Sequence, residues 1–444
     1  MRALRDPDAR WTTAALAALA FSVRMAWALA VRVPPAWDGE LYERAARGIA
    51  AGYGYTCFMF GPRIAPHTPT AYYPVGYPAY LGALYALFGI APWVVALAGA
   101  LPAAGTVALV HRLARGITPG ITPGITPGIA PGAVPERAAV LAALTLALLP
   151  GQVLYATTPM TETLWGFLLT LAVWALAHRA PLRNRDLALA ALALALATYV
   201  RPQAVLLAPV LPCIPAGSWQ KRLARGLGVT VFALAAVAPW TARNCRALDG
   251  CAFVSTNGGG NLAIGAVARS TGTFRYLTAA DGCGGVVGEV ARDHCWRALA
   301  ETSIQHAPWR WVRLGGTKLF HTLSYETFPA SYLRRARPDL VNGRVEERLG
   351  RLLTAPWRIL CVLVLLAALP LYPRRGLGTV GALSAVAVAG MLATHAVFFG
   401  GDRYHLPVTG LLAVLAAGAL RDLAPRVHGL ARLRPRPPVE SSAP

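Results

Sequence analysis

Long apolar stretches alternate with short polar segments along most of this chain. The first apolar run covers about 12–33, and a polar segment at about 34–76 follows it. A longer apolar stretch at about 77–113 is interrupted by Pro92. Proline breaks a helix interior, so the part before it is expected to lie along a membrane surface ahead of a true span. Further runs fall at about 137–151, 162–178, 187–201, 203–217 and 226–242, and the last three at about 354–372, 376–398 and 405–420. These lengths approach the roughly 20 residues that a helix needs to cross about 30 Å of hydrocarbon. Their Ala and Leu content favours helices over the two-residue alternation of a membrane barrel. The expected fold is an all-α polytopic membrane protein, a bundle of about ten transmembrane helices within a range of about nine to thirteen. Between its last two groups of spans lies a mixed polar segment at 243–353, in which His306–Leu323 reads as an interfacial or re-entrant helix.

Composition agrees with this pattern. Of 444 residues, 55% are hydrophobic and only 14% charged, against about 25% charged in an ordinary soluble domain. The net charge of +22 raises nucleic acid as a partner, but the basic residues sit in short clusters between apolar runs. Such clusters are topology signals under the positive-inside rule. Arg2, Arg5 and Arg10 therefore place the N-terminus inside, as do Arg112/Arg115, Arg179/Arg183/Arg185, Lys221/Arg222/Arg225 and Arg374/Arg375 for their loops. The first run is long and lacks a convincing signal-peptide cleavage site. Three regions follow: an N-terminal transmembrane module at 1–242, an extracytoplasmic segment at 243–353, and C-terminal helices with a basic inside tail at 354–444. The repeat at 116–132, reading GITPGITPGITPGIAPG, has proline and glycine at fixed positions and no helical period, so 116–135 is expected to be a flexible inside loop. Five of seven cysteines (Cys57, Cys245, Cys251, Cys283 and Cys295) fall in outside segments. Cys245–Cys251 and Cys283–Cys295 can close local disulfides there, with other pairings and free thiols open.

This topology gathers unusual polar residues at one membrane face. Asp38, Glu40 and Tyr42 follow the first span, Glu162 opens the 162–178 run and Arg201 closes the 187–201 run. Trp240 and Arg243 end another span, and Asp402, Arg403, Tyr404 and His405 precede the last. Arg24 lies within the first span, where a charge is costly unless it meets a partner or cavity. A carboxylate can receive a proton from an acceptor hydroxyl. Arginines can hold a phosphate and stabilise its charge as it departs. Asp38, Glu162 and Asp402 offer oxygen ligands suited to a divalent cation. No other cofactor is implied. The Gly-Gly-Gly at 258–260 lacks the lysine and the strand–helix setting of a nucleotide loop; it is expected to form a tight turn over the site.

These residues carry a resemblance. The stretch Asp38-x-x-x-Tyr42-x-x-Ala45, the run Gly52-Tyr53-Gly54-Tyr55, and Pro-Thr-Ala-Tyr-Tyr-Pro-Val-Gly-Tyr-Pro at 69–78 resemble the start of GT-C membrane glycosyltransferases. The likeness continues through Thr-Glu-Thr at 161–163, Arg-Pro at 201–202, Pro-Trp-Thr-Ala-Arg-Asn at 239–244, the segment 255–265 and Arg-Tyr-His-Leu-Pro at 403–407. The chain resembles bacterial relatives of dolichyl-phosphate-mannose protein mannosyltransferases and of lipid A aminoarabinose transferases (families 39 and 83). The resemblance implies sugar transfer from a polyprenyl-phosphate donor to an extracytoplasmic acceptor, in the bacterial cytoplasmic membrane and with the site facing outward. It makes Asp38 the expected base and Glu162 the second acid, orienting the acceptor or helping to bind a cation. The two adjacent acids of the eukaryotic relatives are replaced by Asp38-Gly39-Glu40. A helix starting at Asp38 turns Glu40 about 200° away, which leaves it a reserve candidate.

The expected reaction is an inverting displacement. Arg201, Arg243, Arg24 and Arg403 are the candidates for the donor phosphate, and Tyr42, Tyr72, Tyr73, Trp240, Asn257, Asn261, Tyr404 and His405 those for lining the sugar or acceptor site. Two other classes fit the span pattern: a lipid-linked sugar flippase, which would explain Arg24, and a non-catalytic membrane assembly protein. A flippase is expected to concentrate charge near the bilayer midplane rather than at one face.

Overall fold

A computed structural model describes residues 7–56, 67–116, 133–368 and 378–418. The repeat from 117 to 132, Cys57, Arg374/Arg375 and the basic tail lie outside these residues.

The chain begins with α1 (Pro7–Val31) and the amphipathic α2 (Asp38–Ala50), whose Tyr42, Ala45 and Ala46 are buried while Glu40, Arg44 and Arg47 face out. The interrupted apolar stretch forms two helices, α3 (Gly76–Phe88) and α4 (Pro92–Arg115). Gly89 ends the first at φ 81°, and Pro92 opens the second. That position suits proline, because an N–H in the first turn has no intrahelical acceptor.

Next come α5 (Ala133–Leu148), α6 (Pro150–Tyr155), α7 (Thr161–Ala177) and α8 (Asn184–Val200). The expected span at 203–217 is not an α-helix. Residues Pro202–Leu207 and Leu211–Cys213 are 3-10 turns. Pro202, Pro209, Pro212 and Pro215 remove backbone donors along this stretch, so a continuous ladder cannot form.

The long α9 (Trp219–Ala247) follows, then α10 (Gly258–Ala266), α11 (Glu289–His306), α12 (Pro308–Leu323) and α13 (Phe328–Ala336). The segment at 243–353 thus carries several helices, with irregular stretches at 248–257 and 267–288. Both disulfides, Cys245–Cys251 and Cys283–Cys295, are present in it. The chain closes with α14 (Gly343–Ala368), α15 (Gly378–Val397), a 3-10 turn at Asp402–Val408 and a helical stretch at 409–418.

Among the described residues β structure is limited to two isolated bridges. One apolar core joins α1, α4, α5, α7, α8 and the 409–418 stretch, and a smaller one lies between α10 and α11. Among the described residues five helices are long and apolar enough to cross a bilayer, within Ala9–Val31, Pro92–Arg115, Trp219–Ala247, Gly343–Leu366 and Gly378–Val397. With 16 or 17 residues, α5, α7 and α8 reach only about 25 Å at 1.5 Å per residue.

Arg24 is 1% exposed, and its guanidinium donates to the carbonyls of Ala20 at 3.0 Å, Ala147 at 2.9 Å and Leu146 at 3.0 Å. The last two belong to the final turn of α5, whose carbonyls have no intrahelical donor. A cation there also complements the helix dipole. The charge within the first span is therefore a cap on the break between α5 and α6. It was expected at the donor phosphate, but both terminal nitrogens are committed to carbonyls.

Candidate functional site

Asp38 is the first residue of α2, and it faces inward with about a quarter of its side chain exposed. Oδ1 accepts the Tyr73 hydroxyl at 2.8 Å, and Oδ2 accepts Arg403 Nη1 at 2.7 Å. Arg403 comes from the far end of the sequence, on the 3-10 turn before the last helical stretch. Its Nε also lies 3.8 Å from Glu162 Oε1. Glu162, in the first turn of α7, has no exposed side-chain surface and binds Arg201 Nη2 directly. Arg201 Nε adds a bond to Thr161 Oγ1 at 3.0 Å. Both guanidinium groups lie over the Tyr404 ring, Arg201 at 5.5 Å and Arg403 at 5.0 Å. Two carboxylates and two arginines thus form one alternating chain, Asp38–Arg403–Glu162–Arg201. Tyr42 packs edge-on against Tyr73 at 4.9 Å, and Tyr72 does the same from the other side at 4.9 Å.

Burial pushes the Asp38 carboxyl upward. The ion pair with Arg403 and the hydrogen bonds from Arg403 and Tyr73 outweigh it, so the group is held below its ordinary value.

The start of α2 is built around α13, an element absent from the sequence motifs. Trp37 sits at φ 50°, a left-handed conformation that costs a non-glycine residue roughly 1–3 kcal/mol. Its indole packs on Phe328 at 5.4 Å and on Tyr332 at 5.7 Å. The Tyr332 hydroxyl accepts the Ala36 N–H at 2.8 Å. A Cβ on Gly39 would lie 2.6 Å from that hydroxyl and 3.1 Å from Pro159. Only a residue without a side chain lets the first turn of α2 approach so closely. Gly39→Ala is therefore expected to cost about 1–3 kcal/mol and to lower activity by displacing Asp38. Thermal unfolding and activity of the purified variant check both.

Glu40 lies on the opposite face of α2, half exposed and paired with Arg44. Arg243 is likewise outside the carboxylate–arginine chain. It donates to the carbonyls of Thr70 at 2.8 Å and Tyr55 at 2.9 Å, and stacks on Trp240 at 4.8 Å. Trp240 Nε1 in turn donates to the Val254 carbonyl at 2.9 Å. These two residues tie the end of α9 to neighbouring loops, because the backbone carbonyls of irregular segments need donors.

The Gly-Gly-Gly segment begins α10 rather than a tight turn. Its Gly259 and Gly260 amides donate to Asp293 at 2.6 and 3.1 Å, and Asn257 accepts the Ser255 hydroxyl at 2.9 Å. Asn257 and Asn261 therefore belong to a separate helix start. His405 is fully buried, stacked on Trp357 at 3.6 Å, so it lines no open surface. Asp402 accepts the Phe328 N–H at 2.7 Å, the Thr327 hydroxyl at 2.9 Å and the Thr327 N–H, and so caps α13. Among the described residues no three His, Cys, Asp or Glu side chains gather as metal ligands do.

Several contributors escaped the sequence reading. Phe328 lies beneath Arg403 at 5.2 Å. Glu289 accepts Thr70 Oγ1 at 2.8 Å, the Ala71 N–H at 2.8 Å and Thr256 Oγ1 at 2.6 Å, fastening the loop that carries Tyr72 and Tyr73 onto α11. Neither sits in a motif or at an expected helix end, and their partners are distant in sequence.

The fold is similar to two crystal structures of ArnT from Cupriavidus metallidurans, one bound to undecaprenyl phosphate and one in the apo state. Identity is 14% and 15%, the TM-scores are 0.40 and 0.41, and the match covers 96% of this chain and 81% of that chain in both. No family model and no curated protein matches the chain.

Proposed function

We propose that this chain is a membrane glycosyltransferase that moves a sugar from a polyprenyl-phosphate donor to an extracytoplasmic acceptor by one inverting displacement. The observation that carries this reading is the alternation of Asp38, Arg403, Glu162 and Arg201 through direct contacts. An acceptor hydroxyl or amine attacks the anomeric carbon as the bond from that carbon to the phosphate oxygen breaks. Asp38 receives the acceptor proton. The electron pair leaves with the polyprenyl phosphate, whose charge Arg403 and Arg201 stabilise. Tyr42, Tyr72 and Tyr73 line the sugar side of Asp38. Glu162 keeps both arginines oriented, since a buried carboxylate between two guanidinium groups restricts their rotation.

Arg403 has a double role in this scheme. With no donor bound it holds Asp38 ionised, which makes a weak base. A donor phosphate that draws Arg403 away removes this restraint, and Asp38 rises toward a value better matched to proton transfer. The base is thereby activated when the donor is in place.

The test is to supply the purified protein with a labelled polyprenyl-phosphate sugar and an extract of envelope acceptors. Label on an acceptor together with free polyprenyl phosphate supports the reading. Movement of intact donor across a vesicle membrane without bond cleavage would replace it with a flippase. The pH profile of kcat/KM gives a finer check, because it reports the free enzyme. In the wild type the acid limb due to Asp38 lies below the usual carboxylate value of about 3.9. In Arg403→Gln the lowering influence is lost, so the limb moves to higher pH. An unmoved limb would remove Arg403 from this role.

A further inference from the structure

Behind the Asp38–Arg403 pair lies an acid that the transfer step does not use. Glu326 stands in the link between α12 and α13, with no exposed surface, and neither carboxyl oxygen has a hydrogen-bond partner. The side chain facing it is His405, whose Nε2 is 3.8 Å from Oε1 and has no hydrogen-bond partner. Space for the carboxyl comes from Gly151, where a Cβ would fall 2.2 Å from Oε1. A carboxyl in such surroundings is expensive, and an apolar side chain of similar volume would cost less.

One contact sets the orientation of the His405 ring. His405 Nδ1 lies 2.7 Å from the Thr322 carbonyl, which can only accept, so Nδ1 carries a hydrogen. Nε2 then either offers a lone pair to a protonated Glu326 or an N–H to its carboxylate. The groups acting on Glu326 are His405 and Asp402. Burial pushes the Glu326 carboxyl up, Asp402 adds to this, and His405 opposes it.

This pair is laced to the site through two short stretches. Residues 326–328 and 402–405 are joined by Asp402 on the Thr327 and Phe328 amides, by the Phe328 ring beneath Arg403, and by Glu326 opposite His405. On its other side the His405 ring is held by Trp357. We propose that Glu326 and His405, facing each other across 3.8 Å, act as positioning residues that fix the Asp402–Val408 turn, and with it the Arg403 guanidinium, against Asp38. The catalytic consequence rests on the glycosyltransferase reading; the positioning of the turn does not.

The test compares Glu326→Gln with Glu326→Met in the full chain, purified in detergent. Glutamine keeps a donor for His405, whereas methionine fills the volume without one. Hydrogen exchange over residues 402–408 and the rate of sugar transfer are read together. In Glu326→Gln both should stay within about threefold of wild type. In Glu326→Met exchange should speed up, and kcat should fall by about tenfold to a hundredfold, with KM less affected and thermal unfolding unchanged or raised. Equal behaviour of the two variants would overturn the proposal, since it would reduce Glu326 to filling space. If Glu326→Met does not fold, Gly151→Ala serves instead. Its added methyl displaces the carboxyl, so it should speed exchange in the wild-type background and add nothing in Glu326→Ala. An equal effect in both backgrounds overturns the proposal as well. If the wild type transfers no sugar, the glycosyltransferase reading falls, and hydrogen exchange alone decides the positioning role.

Discussion

Exchanging Asp38 for asparagine is expected to lower the rate of sugar transfer by about 10²–10⁴-fold, the usual contribution of a positioned proton acceptor. Asparagine has the shape of aspartate, and its oxygen can still accept from Arg403 or Tyr73. What it loses is the ability to take a proton and the charge that keeps Arg403 in place. Stability should change little, because Asp38 is partly exposed and Arg403 retains Glu162 at 3.8 Å. Transfer of label and thermal unfolding, measured on the same preparation, separate the two effects. Undiminished transfer would remove Asp38 as the base. Loss on Glu40→Gln in its place would shift the role to an acid that now faces solvent beside Arg44.

Removing Arg201 has the largest expected effect on the fold. Glu162 has no exposed side-chain surface, and its direct partner is Arg201. Taking away one member of a buried ion pair leaves an uncompensated charge, at a cost of about 3–5 kcal/mol. Arg403 is still within 3.8 Å of Glu162, so Arg201→Met should lie near the lower end, about 3 kcal/mol. Adding Glu162→Gln should recover most of this stability, because no charge then remains buried without a partner. It should not recover transfer, since the arrangement of arginines is gone. The unfolding temperature and the yield of folded protein in detergent provide the check. A wild-type unfolding temperature for Arg201→Met would show that the pair contributes nothing net. The double variant isolates the coupling of the two side chains, as a double-mutant cycle requires.

Local physics made several features legible in the sequence. The break at Pro92 appeared where expected because a proline restricts its own backbone and its neighbour's whatever surrounds it. The bridges Cys245–Cys251 and Cys283–Cys295 join cysteines only 6 and 12 residues apart, a span that local chain geometry can close. Glu40 could be turned away from Asp38 by helical period alone. The same kind of reasoning missed the turns at 202–213. Their hydropathy resembles that of a span, and Pro202, Pro209 and Pro212 carry the signal against a helix.

The arginines show where such reasoning stopped. Arg24, Arg201, Arg243 and Arg403 look alike in the sequence, since each stands in or beside an apolar run. Arg24 and Arg243 serve backbone carbonyls, while Arg201 and Arg403 meet carboxylates. The difference lies in what is packed opposite each side chain. His405 was placed at the site by its neighbours in the chain, yet its ring points the other way, toward Trp357 and Glu326.

By itself, then, the sequence determined that the chain is helical and apolar enough to be embedded in a bilayer, and that Glu40 turns away from Asp38 if a helix starts there. These are consequences of hydropathy, period and backbone restriction, which act over a few residues. Only the tertiary structure decided that Arg403 reaches Asp38 from 365 positions away, that Gly39 must make room for Tyr332, and that Glu326 lies behind the site. Those contacts depend on side chains meeting across the bundle, and neither their distance nor their partners is written in local pattern.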